Sequence, residues 1–349
     1  MKKVDYLIIG QGIAGLSFAY QLMKAGKSFL VVDTPQLKSS SSVAAGIMNP
    51  ITGRRYVKSW MFDDLLKEAE QFYSNLETLL DCKVFHRIPI VRSLFNHQEE
   101  QDWWIRRQDQ DYTPYMHPPM NNDAFPKGFK KVFAFAKVAK GGRVDINGLV
   151  EAFKVYLKER GLMISDLLDY NSLDLRDDHC VWKEQSFGKV ICCEGAHVMN
   201  NPFFRHLPFN PSKGEVLIIK APELEGNSVF KNRIFIVPVD PPFYWVGSQY
   251  KRSYTDDNPE VEAKHFLTER LEEVMDSPYE IIEHKAAIRP TVKDRKPFLG
   301  VHPDHSCLYL FNGLGTKGAS LAPYFSKHLY AFISEGQPLM AEADIKRFY

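Results

Sequence analysis

The sequence predicts an α/β fold built on a parallel sheet, and three observations lead to this prediction. A glycine-rich turn at residues 10–15 follows a short apolar run, and an acidic residue closes the next apolar run. A second glycine-rich turn, at residues 313–318, again stands between an apolar run and a helical pattern. The chain has 349 residues, which at roughly 150 residues per domain predicts about two domains.

The N-terminal motif has the parts of a Rossmann-like nucleotide site in the expected order. Leu7–Ile9 is typical of a parallel strand buried on both faces, and it leads directly into a GxGxxG turn. In such a turn Gly10 permits the tight bend, Gly12 lets a pyrophosphate approach the backbone, and Gly15 lets helix and strand pack closely. The helical pattern over residues 16–25 would direct its N-terminal amides at that phosphate.

The strand after this helix supplies the acidic residue that a ribose requires. Phe29–Val32 is apolar and ends at Asp33, where a carboxylate can accept hydrogen bonds from the ribose hydroxyls. No arginine stands beside Asp33, which disfavours the 2′-phosphate of NADP. A glycine-rich turn of an unrelated α/β protein would not explain strand, turn, helix and acid together. The expected nucleotide contacts are Gly10, Gly12, Ile13, Ala14, Gly15, Asp33 and Thr34.

Small residues and a second turn favour FAD over NAD. Four serines, residues 39–42, precede Ala44-Ala45-Gly46, where the backbone can approach a planar ligand closely. The strand expected at residues 308–311 enters the second glycine-rich turn, and a helix follows over 319–333. The start of that helix can face the flavin ring, where negative charge develops on reduction. The expected contacts in these and neighbouring segments are Ser42, Ala44, Ala45, Gly46, Met48, Gly195, Ala196, Arg289, Gly313, Leu314, Gly315, Thr316 and Lys317.

Other segments predict further elements of both domains. Residues 189–193 form a buried strand, and residues 148–160 form an amphipathic helix with Asp145 or Asn147 as its cap. Residues 233–238 and 243–247 are β-rich runs separated by a hairpin-like break.

Composition excludes several classes of protein. Lys plus Arg is 44 against 43 for Asp plus Glu, so the large basic excess of a typical nucleic-acid-binding protein is missing. The five cysteines are odd in number and lack a CxxC pair, which predicts reduced thiols rather than disulfides or a zinc site. The histidines show no spacing suited to a metal, so we expect none. No apolar run approaches the ~18 residues of a membrane span, and we expect a soluble, cytoplasmic protein.

Motifs spread over nearly the whole chain resemble, in order, the D-amino-acid oxidase superfamily of FAD-dependent amine oxidoreductases. Besides the segments above, the resemblance rests on residues 143–145, 191–196, 213–216 and 236–238, and most strongly on 286–300. The segment 286–300 looks especially like glycine oxidase. Residues 313–323 look more like the oxidase half of the enzyme that modifies the wobble methylaminomethyl-thiouridine of tRNA.

The resemblance implies an FAD-binding domain assembled from three pieces of chain, 1–85, 140–205 and 285–349. Residues 86–139 and 206–284 would form an inserted, mainly antiparallel α+β substrate domain that covers the flavin. FAD would be bound non-covalently, because no cysteine stands in residues 288–291, where some related sarcosine oxidases attach the flavin.

Three residues are candidates for the chemistry. Arg289 matches the arginine that holds the substrate carboxylate in glycine oxidase, and a planar guanidinium suits that role. Lys317 departs from the histidine or arginine frequent in the family at this turn, and could stabilise the reduced flavin or help activate oxygen. Tyr250 could contact the substrate through its hydroxyl. Strict alternation would put Tyr244 on one face of its strand with Ser248 and Trp245 on the other, and leaves open which face points inward.

The expected activity is oxidation of the C–N bond of an amino acid or N-substituted glycine, with O2 or another acceptor. An oxidase of a modified tRNA uridine is an alternative, since Arg54, Arg55 and Lys58 with Arg87, Arg92, Arg106 and Arg107 could form a basic patch. We favour a solvated face over an RNA site there. A non-catalytic FAD-binding protein is a further alternative, and an NAD dehydrogenase leaves the second turn unexplained. For Trp103-Trp104 packing is preferred to a partner contact.

Overall fold

The computed structural model describes residues 2–121 and 125–349. Met1, at the start of the predicted N-terminal strand, and residues 122–124, within the predicted substrate domain, lie outside the described residues. The helices are α1 (Ile13–Lys24), α2 (Phe62–Leu80), α3 (His97–Arg107), α4 (Ile146–Glu159), α5 (Val261–Val274) and α6 (Gly318–Glu335). The strands are β1 (Lys2–Ile9), β2 (Phe29–Asp33), β3 (Ile47–Met48), β4 (Ile51–Thr52), β5 (Val57–Lys58), β6 (Phe85–His86), β7 (Ile90–Leu94), β8 (Ala134–Val138), β9 (Gly142–Val144), β10 (Met163–Ser165), β11 (Asp174–Leu175), β12 (Cys180–Trp182), β13 (Gln185–Cys192), β14 (Ser212–Lys220), β15 (Val229–Lys231), β16 (Phe235–Asp240), β17 (Phe243–Lys251), β18 (Glu280–Arg289), β19 (Phe298–Val301) and β20 (Leu308–Asn312).

The first large sheet is built around parallel strands from distant parts of the chain. β10, β2, β1, β13 and β20 pair in parallel in that order, while β11, β12 and β19 extend the sheet in antiparallel fashion. The central strands are almost fully buried, as expected when apolar side chains cover both faces of a parallel sheet. This arrangement confirms the predicted parallel sheet, and it brings the ends of β1, β2, β13 and β20 to one edge.

The second large sheet is mainly antiparallel, as the sequence predicts. Its order is β18-β14-β17-β16-β15-β7-β8, with one parallel pair between β15 and β7. The predicted boundary between residues 284 and 285 falls inside β18, so Arg289 ends a strand of this second sheet. Leu267 and Leu271 of α5 pack with Tyr244 and Val246 on one face of the sheet, and the opposite face is directed towards β3 and α2.

Local sequence explains where the helices begin. Asp145 caps α4, because its carboxylate accepts a hydrogen bond from the Gly148 amide at 3.2 Å, which decides between the two caps considered above. α1 begins at Ile13, inside the GxGxxG turn, because Gly12 is its N-cap. All five cysteines lie in the described part of the chain and are free thiols. No helix in the described ranges is long and apolar enough to cross a membrane.

Candidate functional site

The first glycine-rich turn is held by close backbone contacts. Gly10 has a φ of +94°, and a Cβ on Gly15 would lie 1.9 Å from the carbonyl oxygen of Gly10. Any side chain at position 15 would therefore push α1 away from the end of β1. The Ile13 amide donates to Ser41 Oγ at 3.1 Å, so the serine run also supports the turn. These contacts leave the start of α1 open to a ligand phosphate.

Two connected cavities follow this turn. The first, of about 520 Å³, lies over the ends of β1, β2 and β13. The second, of about 350 Å³, lies between the start of α6 and the second sheet, and shares Ile13, Ser40, Ser41, Gly315 and Gly318 with the first. The result is one elongated cleft, as a long dinucleotide cofactor requires.

Most of the predicted site residues line this cleft. Those in the first cavity are Gly10, Gly12, Ile13, Ala14, Asp33, Thr34, Gly195, Ala196, Leu314 and Gly315. Those in the second are Ala44, Ala45, Gly46, Arg289, Gly315, Thr316 and Lys317. The predicted contacts outside the lining of both cavities are Gly15, Ser42, Met48, Gly313 and Tyr250. Gly15 acts through the turn, Met48 is buried in the core, and Ser42 donates to the carbonyl oxygen of Ser39.

Asp33 lies at the nucleotide end of the cleft. Its carboxylate accepts a hydrogen bond from the backbone amide of Gln11 at 3.1 Å, so it connects β2 to the glycine-rich turn. Burial raises the pKa of Asp33, and Lys154 Nζ from α4, at 3.7 Å, opposes that shift. Sequence reasoning missed Lys154, because only the packing of α4 brings it to the end of β2.

Glu194 is a second carboxyl group in the first cavity, and sequence reasoning passed over it. It lies two residues after the end of β13, and both of its oxygens accept hydrogen bonds from Asn201 Nδ2, at 3.0 and 3.3 Å. Burial raises the pKa of Glu194 to about 8, and the hydrogen bond from Asn201 offsets only part of that effect. A neutral Glu194 can therefore present a donor to the nucleotide near neutral pH.

The stability of the protein without bound nucleotide should fall as pH rises from about 6 to about 9. The folded state keeps the Glu194 proton up to about pH 8, whereas the unfolded chain releases it near the ordinary pKa of 4.5. The folded state therefore binds more protons in this interval, and the loss is on the order of 2 kcal/mol. Chemical denaturation of the wild-type protein and of Glu194→Gln at several pH values in this interval measures the change in the free energy of unfolding. An equally steep pH dependence in the variant would contradict the assignment to Glu194.

Arg289 lies in the second cavity, at the end of β18. Its Nη2 donates to Ser248 Oγ at 2.8 Å, and its guanidinium lies against the backbone of Gly214, where a Cβ would be 2.2 Å from Nη2. A side chain at position 214 would therefore displace the guanidinium from this place on the sheet. Burial lowers the pKa of Arg289, and within the described residues its guanidinium makes no salt bridge with a carboxylate. The group can accept an anionic partner from the cavity.

The expected alternation along β17 is wrong at Ser248. Glu215 pairs with Gln249 and Val216 pairs with Gly247, so Ser248 is an extra residue at a β-bulge. The bulge brings Ser248 to the face of Trp245, and both line the second cavity. Tyr244 lies on the opposite face and is buried.

Tyr250 is not placed to contact a substrate. Its side chain is 65% exposed, near the end of β17, and lines neither cavity. Trp245 instead faces the cavity, and its Nε1 donates to the carbonyl oxygen of Val43 at 2.9 Å. The structure therefore replaces Tyr250 by Trp245 and Ser248 as the side chains that β17 offers to the site.

Lys317 precedes α6 directly and lines the second cavity. Its Nζ lies 3.5 Å from Ser59 Oγ, in the segment before α2. Burial lowers the pKa of Lys317, and the nearby cations Arg295 and Lys296 lower it further. Ser59 and Trp60 belong to the same wall and were not predicted from sequence.

The basic residues of the proposed RNA patch make contacts within the protein. Arg92 Nη2 donates to the carbonyl oxygen of Gly53 at 3.0 Å, and Arg106 Nη2 donates to that of Arg55 at 3.4 Å. Arg87 forms a salt bridge with Glu70 at 2.9 Å. Intramolecular contacts thus account for three of these cations, and RNA binding stays a prediction.

The adjacent tryptophans have different surroundings. Trp103 is fully buried against Tyr56, and its Nε1 donates to the carbonyl oxygen of His117 at 2.9 Å, which confirms packing for this residue. Trp104 is 40% exposed.

Comparison with known proteins agrees with this geometry. The chain is 26% identical to a glycine oxidase of Pseudomonas aeruginosa, over 97% of this chain and 96% of that protein. A solved glycine oxidase from Geobacillus kaustophilus superimposes with a TM-score of 0.79 at 19% identity, covering 98% of this chain and 97% of that one. A solved iminodiacetate oxidase from Chelativorans sp. BNC1 has the same TM-score at 18% identity, covering 96% of each chain.

The predicted fold class, FAD cofactor and enzyme class are confirmed by a match to a whole family. The family is described as DAO, FAD dependent oxidoreductase, and its sequence model matches residues 5–331. Both glycine-rich turns and Arg289 fall within the matched range. The chain therefore belongs to the DAO family of FAD-dependent oxidoreductases.

Proposed function

We propose that the protein oxidises the C–N bond of an amino acid or an N-substituted glycine. The observation that carries the proposal is Arg289, a half-buried guanidinium that lines the second cavity and that, within the described residues, donates one side-chain hydrogen bond, to Ser248. A substrate carboxylate matches the planar, bidentate geometry that a guanidinium offers. The glycine oxidase of Pseudomonas aeruginosa and the iminodiacetate oxidase of Chelativorans support this class of substrate.

The residues of the cleft fit FAD. The glycine-rich turn, Asp33 and the start of α1 suit the nucleotide end, while residues 44–46 and the start of α6 suit the flavin ring. Gly46 has a φ of +68° and no room for a side chain, so the backbone itself forms this wall. We propose an FAD-binding domain of residues 1–85, 140–205 and 290–349 and a substrate domain of 86–139 and 206–289, which moves the expected boundary at 284/285 to the end of β18. We propose non-covalent binding of FAD.

FAD, held by the first glycine-rich turn, Asp33 and the start of α6, would supply a two-electron acceptor for the hydride equivalent of the carbon that carries the nitrogen, and the substrate would become an imine that water hydrolyses. The protein itself holds and orients the substrate. Arg289 binds the carboxylate and Ser248 fixes the guanidinium, while Trp245 and Phe235 provide apolar surface that excludes water. Arg289 and Lys317 are both cations, so they favour the neutral amine over the ammonium form. The described lining of this cavity contains no Asp, Glu or His, so none of its side chains is an obvious general base.

Anaerobic titration of the purified yellow holoenzyme tests this function. Glycine, sarcosine and D- and L-amino acids are added in turn, and we expect at least one to bleach the visible flavin absorption. The electron acceptor, O2 or another, is then identified from reoxidation of the bleached protein. Flavin that no amine reduces would contradict the proposal and favour the non-catalytic alternative.

A further inference from the structure

The second cavity has an uncompensated positive charge at two separate places. Arg289 comes from the end of β18 on the second sheet, and Lys317 comes from the turn before α6 on the first. Within the described lining of this cavity there is no acidic side chain. Two cations that line one cavity without an acidic side chain repel each other, so an anionic ligand that contacts both would be attracted by each of them.

Lys317 makes no ion pair within the described residues, whereas two nearby lysines do. Lys296 pairs with Glu342 at 3.1 Å, and Lys58 forms an ion pair with Asp63, whereas the contact of Lys317 is the neutral Ser59 Oγ at 3.5 Å. The pKa of Lys317 is lowered by burial and by the cations Arg295 and Lys296, and no carboxylate in the described chain opposes this shift. An anion from the cavity would supply the missing partner.

The direction of the Lys317 side chain separates it from the expected flavin contact. Its ammonium reaches from the start of α6 to Ser59, in the segment that leads into α2. The backbone amides at the start of α6 can themselves face the flavin ring, so the ammonium is not needed for that contact. The lining of this cavity also offers polar groups, among them Ser59, Asn49, Thr52 and Thr316.

We propose that the substrate carries two anionic groups, one bound by Arg289 and the other by Lys317. This inference rests on the proposed function, which supplies the first carboxylate and the oxidised C–N bond. An iminodicarboxylate, in which the amine nitrogen joins two carboxyalkyl arms, is the class of amine that fits. One carboxylate then lies on the second sheet and the other near the segment before α2, with the nitrogen between them.

Binding of compounds that cannot be oxidised tests the second anion site directly. Oxydiacetate has an ether oxygen in place of the amine nitrogen, and its monoamide has nearly the same shape with one charge fewer. Both are titrated into the holoenzyme at constant ionic strength, and the change in flavin absorption gives the Kd. Because a hydrogen-bonded charge pair is worth more than a neutral one, we expect the diacid to bind about 10- to 100-fold more tightly than the monoamide.

Variants assign this preference to a residue. Lys317→Met should reduce the ratio of the two Kd values to about 1, mainly by weakening the binding of the diacid, and Lys317→Arg should retain much of the preference. Lys296→Met is the matched control, because it removes a nearby cation that does not line the cavity. We expect Lys296→Met to retain the wild-type ratio of Kd values, since direct contact with Lys317, and not the summed positive charge nearby, favours the diacid.

The outcomes separate this inference from the proposed function. A wild-type ratio of 1 or below, no binding of either compound, or an undiminished ratio in Lys317→Met would overturn the second anion site. The ratio of Kd values in the wild-type protein tests the second anion site even if Lys317→Met fails to fold. None of these results depends on turnover, whereas the proposed function is judged by whether an amine bleaches the flavin. Reduction by sarcosine with a ratio of 1 would retain the function and reject the second anion site.

Discussion

Replacing Arg289 by alanine should lower kcat/KM for a carboxylate substrate by a factor on the order of 100. Removing one partner of a buried, hydrogen-bonded charge pair costs about 2–5 kcal/mol, and the guanidinium of Arg289 is held against Gly214 by Ser248 in this geometry. The loss should occur mainly in KM, because the carboxylate is bound in both the ground state and the transition state. Steady-state kinetics with the substrate found by anaerobic titration measures both parameters.

Two controls separate carboxylate binding from damage to the site. Arg289→Lys keeps the charge but lacks the planar pair of donors, so we expect an intermediate loss. Ser248→Ala removes the hydroxyl that positions the guanidinium and should give a smaller increase in KM than Arg289→Ala. Each variant should remain yellow, since Asp33 and the first glycine-rich turn are unchanged. Wild-type kinetics in Arg289→Ala would rule out the carboxylate contact.

The nucleotide end of the cleft could be predicted from sequence because its geometry is local. The bend at Gly10, the start of α1 and the acid at the end of β2 all lie within residues 1–33, and short-range rules relate them. The same rules predicted the strand and helix on either side of the second turn. Contacts of Lys154 and Glu194 with this end could not be predicted, because they depend on how α4 and β13 pack against it.

The substrate end was harder to predict, because its geometry depends on pairing between distant strands. One extra residue on β17 changes the face of Ser248, and the sequence of β17 alone does not reveal which residue its partner strand leaves unpaired. Tyr250 was a candidate because it lies on the strand expected to face the pocket, and its side chain is exposed on the surface instead. Arg289 was predicted through resemblance, whereas the need for glycine at position 214 became visible only when β14 and β18 were paired.

Gly46→Ala should both destabilise the protein and weaken FAD binding. Gly46 has a φ of +68°, and its Cβ would lie 1.8 Å from the carbonyl oxygen of Val144. The left-handed conformation costs an alanine about 1–2 kcal/mol, and the overlap with the backbone adds roughly 1–3 kcal/mol. Because Gly46 lines the second cavity, relieving the overlap must also move the wall expected to face the flavin ring. Denaturant unfolding and the ratio of flavin to protein absorption after purification measure the two effects.

Gly53→Ala is the matched control, because Gly53 has a φ of +72° and nothing within 4 Å of its Cβ position. This variant should lose only the conformational part, about 1–2 kcal/mol, and should retain its flavin. The difference in stability loss between the two variants measures the effect of the overlap with Val144. Val144 directly precedes Asp145, the cap of α4, so this contact connects residues 44–46 to the start of α4. Equal losses of stability with full flavin content in both would mean that the wall near Gly46 can shift without cost. The close backbone approach would then not be what shapes the flavin end of the cleft.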